Sequence, residues 1–161
     1  MLLYHLSYRK IKGRQRHDLC RSKIKLDKIS SGDGPQHRLE KKYRKLKCWG
    51  MLASVDLYGC DPGSIRSPKK IREFIIKLCA AIKMKRHGPS LIKKFGQKDL
   101  LGYSAMQFIE TSSVTVHFDE IKDRAFVEIF SCKFFDPHEA LAFCREFLKA
   151  KRVKLRYFFR R

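Results

Sequence analysis

The pattern of apolar and polar residues changes at Trp49, after which apolar residues recur with regular periods. Alternating stretches predict six strands, over residues 52–58, 91–95, 102–110, 113–118, 124–131 and 152–159. Two stretches with apolar residues three to four apart predict helices that begin at Ser67-Pro68 and Asp136-Pro137. The segment His87-Gly88-Pro89 is expected to interrupt the chain before the second strand. The predicted order is β-α-β-β-β-β-α-β.

This order predicts an α+β fold, a two-layer α/β sandwich with an antiparallel-rich sheet and both helices on one face. The other face of the sheet would carry Val, Phe and Tyr side chains without a covering layer. An apolar sheet face needs a partner, so we expect the chain to form a homodimer, joining two sheets into a larger sandwich.

Residues 1–48 differ from the rest, because basic residues recur there without a helical or strand period. Residues 30–35 are rich in Ser and Gly, as linkers are, and residues 39–46 could form a short basic helix. We therefore interpret residues 1–48 as a mostly flexible basic extension and residues 49–161 as the folded domain.

Composition limits the function classes that are open to the chain. Its 161 residues suffice for one domain, and 43% hydrophobic residues suffice for a core. No apolar run is long enough to span a membrane and no signal peptide is recognisable, so we expect a cytoplasmic protein. The net charge of +21 suggests that residues 1–48 contact a polyanion, which is one hypothesis for this segment. The six cysteines form no CxxC pair and the histidines are scattered, which predicts free thiols and no metal site.

The candidate chemistry lies in the stretch from Gly102 to His117, which is followed by Phe130-Ser131-Cys132. Together with the segment Asp56-Leu57-Tyr58-Gly59-Cys60-Asp61-Pro62, it resembles the small prokaryotic S-adenosylmethionine decarboxylases. The resemblance covers residues 49–161, and the spacing from Ser104 to Cys132 matches without a gap.

The resemblance implies that the chain cuts itself between Thr111 and Ser112 and converts Ser112 into a pyruvoyl group. His117 would be the base in this reaction, and Ser104 would hydrogen-bond the intermediate. Cys132 would return a proton to the product carbon. Decarboxylation leaves a carbanion that is very unstable without an electron sink, and a protein-bound ketone is such a sink. No metal is implied.

The substrate side of the site is also implied by the resemblance. Asp56 would face the cationic part of S-adenosylmethionine. The chain lacks the family's Trp that would help to stack the adenine, and Phe95 and Phe118 are the candidate substitutes for it. The enzyme would then act in polyamine (spermidine) biosynthesis. Strict strand alternation places residues 112 and 117 on opposite faces of the sheet, so the site requires a bulge or a kink at the cut.

Departures from the family pattern leave alternatives open. Thr111 stands where the family has Glu and Ser113 where it has His, so the cut could fall between Ser112 and Ser113. Asp119 and Glu120 replace part of a Thr-Trp-Pro-Glu segment, and two carboxylates suit a basic substrate such as arginine or ornithine. Outside decarboxylation, the chain could be a nucleic-acid-binding protein or an unprocessed regulatory homologue.

Overall fold

A computed structural model describes residues 34–161 of the chain. The predicted extension lies mostly outside these residues. Residues 34–48 are described, and they include helix α1, Pro35–Lys45. Tyr43 of α1 is buried against Phe134 and Phe159 and donates a hydrogen bond to the carbonyl of Cys132. The compact unit therefore begins upstream of residue 49, because an aromatic side chain anchors α1 to the core.

Six antiparallel strands form one sheet in the order β2-β3-β4-β5-β1-β6. Their bounds are β1 Gly50–Tyr58, β2 Arg86–Phe95, β3 Gly102–Ile109, β4 Ser112–Asp119, β5 Arg124–Ser131 and β6 Arg152–Arg160. The helices after α1 are α2 Pro62–Ile65, α3 Pro68–Ala81 and α4 Pro137–Phe147, and a 3₁₀ turn spans Lys98–Leu100. The α+β class and the order of the predicted strands and helices are confirmed.

Helices α3 and α4 begin where their capping residues predict. The Ser67 hydroxyl accepts a hydrogen bond from the N–H of Lys70, and the Asp136 carboxylate accepts one from the N–H of His138. Each cap satisfies an N–H group that has no partner inside the helix. Both helices pack on one face of the sheet, where they enclose the core with the inward residues of the central strands.

Strand β2 is longer than predicted, because His87-Gly88-Pro89 bends the strand instead of ending it. The pairing with β3 is irregular between His87 and Leu91. The fully buried amide of Gln107 donates hydrogen bonds to the carbonyls of His87 and Gly88. A buried side chain thus replaces the strand hydrogen bonds that the bend removes.

The second face of the sheet, here called the open face, is not covered by any helix of the described chain. Several large apolar side chains are solvent-exposed on it, and Phe108 keeps 57% of its surface accessible. The others are Leu91, Phe95, Met106 and Phe158. No helix within residues 34–161 is long and apolar enough to cross a membrane.

Asp119 fastens the β4–β5 hairpin. Its carboxylate accepts hydrogen bonds from the Arg124 guanidinium and from the N–H groups of Ile121 and Lys122. Burial raises the pKa of the Asp119 carboxyl, but these hydrogen bonds outweigh burial and hold the pKa below its usual value.

We expect Asp119→Asn to lower the free energy of unfolding by about 1–3 kcal/mol at pH 7, since a buried charged hydrogen-bond acceptor is lost. A lowered folded-state pKa means that the unfolded state binds the proton more readily. The stabilisation is therefore present at neutral pH and is lost as the pH falls below about 4, through the folded-state value. Urea unfolding at pH 7 and pH 3 measures this, with Asp99→Asn at an exposed position as control. An equal loss of stability at both pH values would contradict the assignment.

Candidate active site

Ser104 and His117 form a hydrogen-bonded pair on the open face. The register of β3 and β4 places the two residues directly opposite each other. The Ser104 Oγ atom lies 2.7 Å from the Nδ1 atom of His117, and which of the two donates depends on the tautomer of the ring. The pair thus joins a hydroxyl to an imidazole ring, a side chain that can act as a general acid or base.

A pocket of about 420 Å³ opens on the sheet around this pair. Phe126, half-buried on β5, lies opposite His117, and Phe95 contributes an exposed aromatic ring from β2. Two lining residues have charged side chains, Lys93 on β2 and Glu128 on β5. The remaining lining residues are Leu91, Ala105, Met106, Thr115 and Val116. Such a pocket, mostly apolar with a few polar groups, suits a small organic ligand.

Ser112 follows the two-residue turn Glu110-Thr111 between β3 and β4, and its backbone φ angle is +146°. Residues with a Cβ rarely adopt such a conformation, which costs on the order of 1–3 kcal/mol. The distortion lies at the position where strand alternation required a kink. Pairing with Ile109 and Ser131 on the neighbouring strands holds the residue in place.

The peptide group between Thr111 and Ser112 is held from β5. The N–H of Cys132 donates to the Thr111 carbonyl oxygen, with 2.9 Å between the two atoms. The Ser131 hydroxyl, 3.0 Å from the Thr111 hydroxyl, donates to it and in turn accepts a hydrogen bond from the N–H of Lys133. A donor fixed on a carbonyl oxygen stabilises negative charge that develops there when the carbonyl carbon is attacked. The Cys132 thiol is free and the residue is exposed.

These two groups of residues do not meet within one chain. Ser112 and His117 are five residues apart on β4. A strand advances about 3.4 Å per residue, which separates them by roughly 17 Å. The structure therefore separates the candidate residues into two groups, one around Ser112 and Cys132 and one around Ser104 and His117.

The structure places two residues outside the predicted substrate-binding position. Phe118 is fully buried against Phe74 in the core on the helix side, because strand alternation turns it away from His117. Asp56 is on the open face, but its carboxylate pairs with Arg156 at 2.9 Å and does not line the pocket. Phe95 lines the pocket.

The two carboxylates that suggested a basic substrate are also engaged elsewhere. Asp119 is bonded to Arg124, and the Glu120 carboxylate lies 2.9 Å from the Nζ atom of Lys94. Neither lines the pocket.

Sequence reasoning missed Phe126, Glu128 and Lys93 as pocket residues. The spacing of Phe126 and Glu128, two apart on an alternating strand, places both on one face. Their position opposite His117 and Thr115 depends on the register of β4 and β5, which spacing within one strand does not reveal.

Fold and site together define an α+β domain with a mostly apolar, ligand-sized pocket and a distorted serine hairpin. The family model described as S-adenosylmethionine decarboxylase matches residues 52–161. Two similar proteins are the S-adenosylmethionine decarboxylase proenzymes of Clostridium botulinum strains Hall and Langeland, 29% and 28% identical over 112 residues. Each alignment covers 69% of this chain and 93% of the relative. The chain belongs to the S-adenosylmethionine decarboxylase family.

The fold is also similar to a solved structure. The crystal structure of the adenosylmethionine decarboxylase from Aquifex aeolicus matches with a TM-score of 0.60 and 22% sequence identity. The match covers 70% of this chain and 91% of that one. At this identity the likeness shows the shared fold.

Exposure of the cysteines predicts their order of reaction with iodoacetamide in the folded protein. Burial raises the pKa of the Cys60 and Cys79 thiols to about 11, and it raises that of the fully buried Cys144 as well. Protonated, inaccessible thiols react slowly, so we expect Cys132 to be alkylated well before these three. Peptide mapping after timed alkylation measures the order, with the denatured protein as control. Alkylation of Cys144 at the rate of Cys132 would contradict the packing.

Proposed function

We propose that the chain is a pyruvoyl-dependent S-adenosylmethionine decarboxylase that cuts itself between Thr111 and Ser112. Family membership supports a decarboxylase, and one observation carries the position of the cut. The Thr111 carbonyl oxygen accepts the N–H of Cys132 directly before a serine with a strained backbone. The arginine and ornithine alternative is not favoured, since Asp119 and Glu120 are bound to Arg124 and Lys94.

Self-cleavage needs a nucleophile, a polarised carbonyl and a base. The Ser112 Oγ atom attacks the Thr111 carbonyl carbon, the C–N bond breaks, and the nitrogen takes up the proton, which leaves an ester. The Cys132 N–H stabilises the negative oxygen during this step. His117 of a second chain then removes the Cα proton of residue 112, and the carboxylate of Thr111 leaves. The resulting enamine tautomerises to an imine and hydrolyses with water, releasing ammonia and leaving a pyruvoyl group.

The residues around Ser112 fit this group. The backbone strain at Ser112 raises the energy of the uncut chain, which favours the rearrangement. The pyruvoyl ketone supplies the electron sink for loss of carbon dioxide. Cys132, adjacent to the cut and exposed, is placed to return a proton to the product carbon. Phe95 and Phe126 offer aromatic surfaces for the adenine ring.

The distance of roughly 17 Å between Ser112 and His117 leads us to propose a homodimer. In this dimer, Ser112 and Cys132 of one chain meet Ser104 and His117 of the other. The exposed apolar side chains of the open face supply the contact, because their burial is favourable. Two sheets joined in this way give a larger sandwich. Polyanion contact through residues 1–48 and a cytoplasmic location stay predictions.

Removal of the nucleophile tests the cut itself. We expect Ser112→Ala to give a single unbroken chain of 19.0 kDa, whereas the wild type gives two fragments, the second beginning with a pyruvoyl group. Intact-mass spectrometry measures both. Ser113→Ala is the matched control, since it removes the neighbouring hydroxyl and should leave cleavage unchanged. Cleavage in the Ser112→Ala chain and its loss in Ser113→Ala would move the cut by one residue.

Complementation tests the shared site. Ser112→Ala and His117→Ala chains should each stay unprocessed alone, while co-expression should allow cleavage of the His117→Ala chain. A mixed dimer contains one intact site and one doubly altered site, so random pairing should restore about a quarter of the wild-type decarboxylase activity. Tagged chains of different mass show which one is cut. Absence of cleavage in a verified mixed dimer would contradict a site made by two chains.

A further inference from the structure

Glu128 differs from the other carboxylates near the pocket because its charge is not paired. Asp56 lies 2.9 Å from Arg156, and the carboxylates of Asp119 and Glu120 are bound by Arg124 and Lys94. Glu128 is exposed and has no ion pair within residues 34–161. Its negative charge is therefore available to a ligand.

The position of Glu128 directs this charge into the pocket. The residue lines the pocket and lies opposite Thr115 on β4. It is two residues from Phe126, which faces His117, so its Cα lies about 7 Å further along the strand than the His117 row. A substrate that reaches His117 and Phe126 passes within range of the Glu128 carboxylate.

The one other charged side chain that lines the pocket within the described residues does not cancel this field. Lys93 lies on β2, three strands from β5 in the sheet. With about 4.8 Å between neighbouring strands and a two-residue offset along them, the two backbone positions are roughly 16 Å apart. At that distance, exposed charges are largely screened by salt and water.

We propose that Glu128 binds the positive charge of the substrate and that this contact selects a cationic substrate over its neutral counterpart. The inference rests on the proposed function. A sulfonium has no N–H group, so a protein recognises it by charge and shape. Glu128 supplies the charge, whereas Asp56 is neutralised by Arg156.

The test compares a cationic and a neutral ligand in wild type and Glu128→Gln. S-adenosylmethionine carries the sulfonium, while S-adenosylhomocysteine is the uncharged thioether. We expect Glu128→Gln to raise the KM for S-adenosylmethionine about fivefold, the effect of one exposed ion pair, with kcat little changed. The dissociation constant for S-adenosylhomocysteine, measured by calorimetry, should stay within about twofold. The salt dependence of KM should also weaken.

Control variants make the outcome specific. Glu146→Gln removes the same charge from the exposed surface of α4 and should change neither constant. Equal weakening of both ligands by Glu128→Gln would show a steric role and overturn the inference. A selective loss of S-adenosylmethionine affinity in Asp56→Asn, but not in Glu128→Gln, would return the role to Asp56.

This experiment separates the inference from the proposed function. The masses of the purified variants show first whether the chain is cut and carries a pyruvoyl terminus. An uncut chain without decarboxylase activity would contradict the proposed function. A cut, active enzyme whose Glu128→Gln variant keeps the wild-type preference would contradict this inference alone.

Discussion

The distance between Ser112 and His117 is the constraint that requires a second chain in the proposed site. Both residues belong to β4, which is paired along its length with β3 and β5. Such a strand cannot fold back on itself, so a base at one end cannot reach a serine at the other. The register of the sheet instead fixes each of the two groups of candidate residues separately. The Ser104–His117 pair and the Cys132–Thr111 hydrogen bond both follow from strand register.

The sheet also keeps Ser112 in an unfavourable backbone conformation. A strained residue persists only when its surroundings fix it, and here two flanking strands and a tight turn do so. The strain lies in the peptide unit that the proposed reaction breaks. Cleavage would relieve it, because a chain end is free to adopt another conformation. Strand pairing thus maintains the strain at Ser112 that the proposed cleavage would relieve.

The sequence predicted much of the fold because the local signals were strong. Ser67 and Asp136 begin their helices as caps, and the alternation of β3 to β6 marks which face is buried. The length of strand β2 was underestimated. Its bend is stabilised by hydrogen bonds from Gln107, which is distant in sequence. The packing of Tyr43 on Phe134 and Phe159 could not be predicted, because these residues are far apart in the sequence.

The site was predicted less completely, for a related reason. The resemblance predicted Ser104, Ser112, His117 and Cys132 as site residues, but their separation into two groups depends on strand pairing. Phe118 was expected in the pocket, yet one step of alternation places it in the core. Glu128 belongs to no recognisable sequence motif. Its unpaired charge becomes evident only from the ion pairs of the neighbouring carboxylates.

The rate of self-cleavage as a function of chain concentration shows whether two chains together form the site. Newly synthesised chain is diluted over a wide range, its state of association is followed by sedimentation, and the uncut fraction is measured over time. A site made by two chains predicts that the rate constant falls as the dimer dissociates. Cleavage at an undiminished rate by a chain that sediments as a monomer would contradict it.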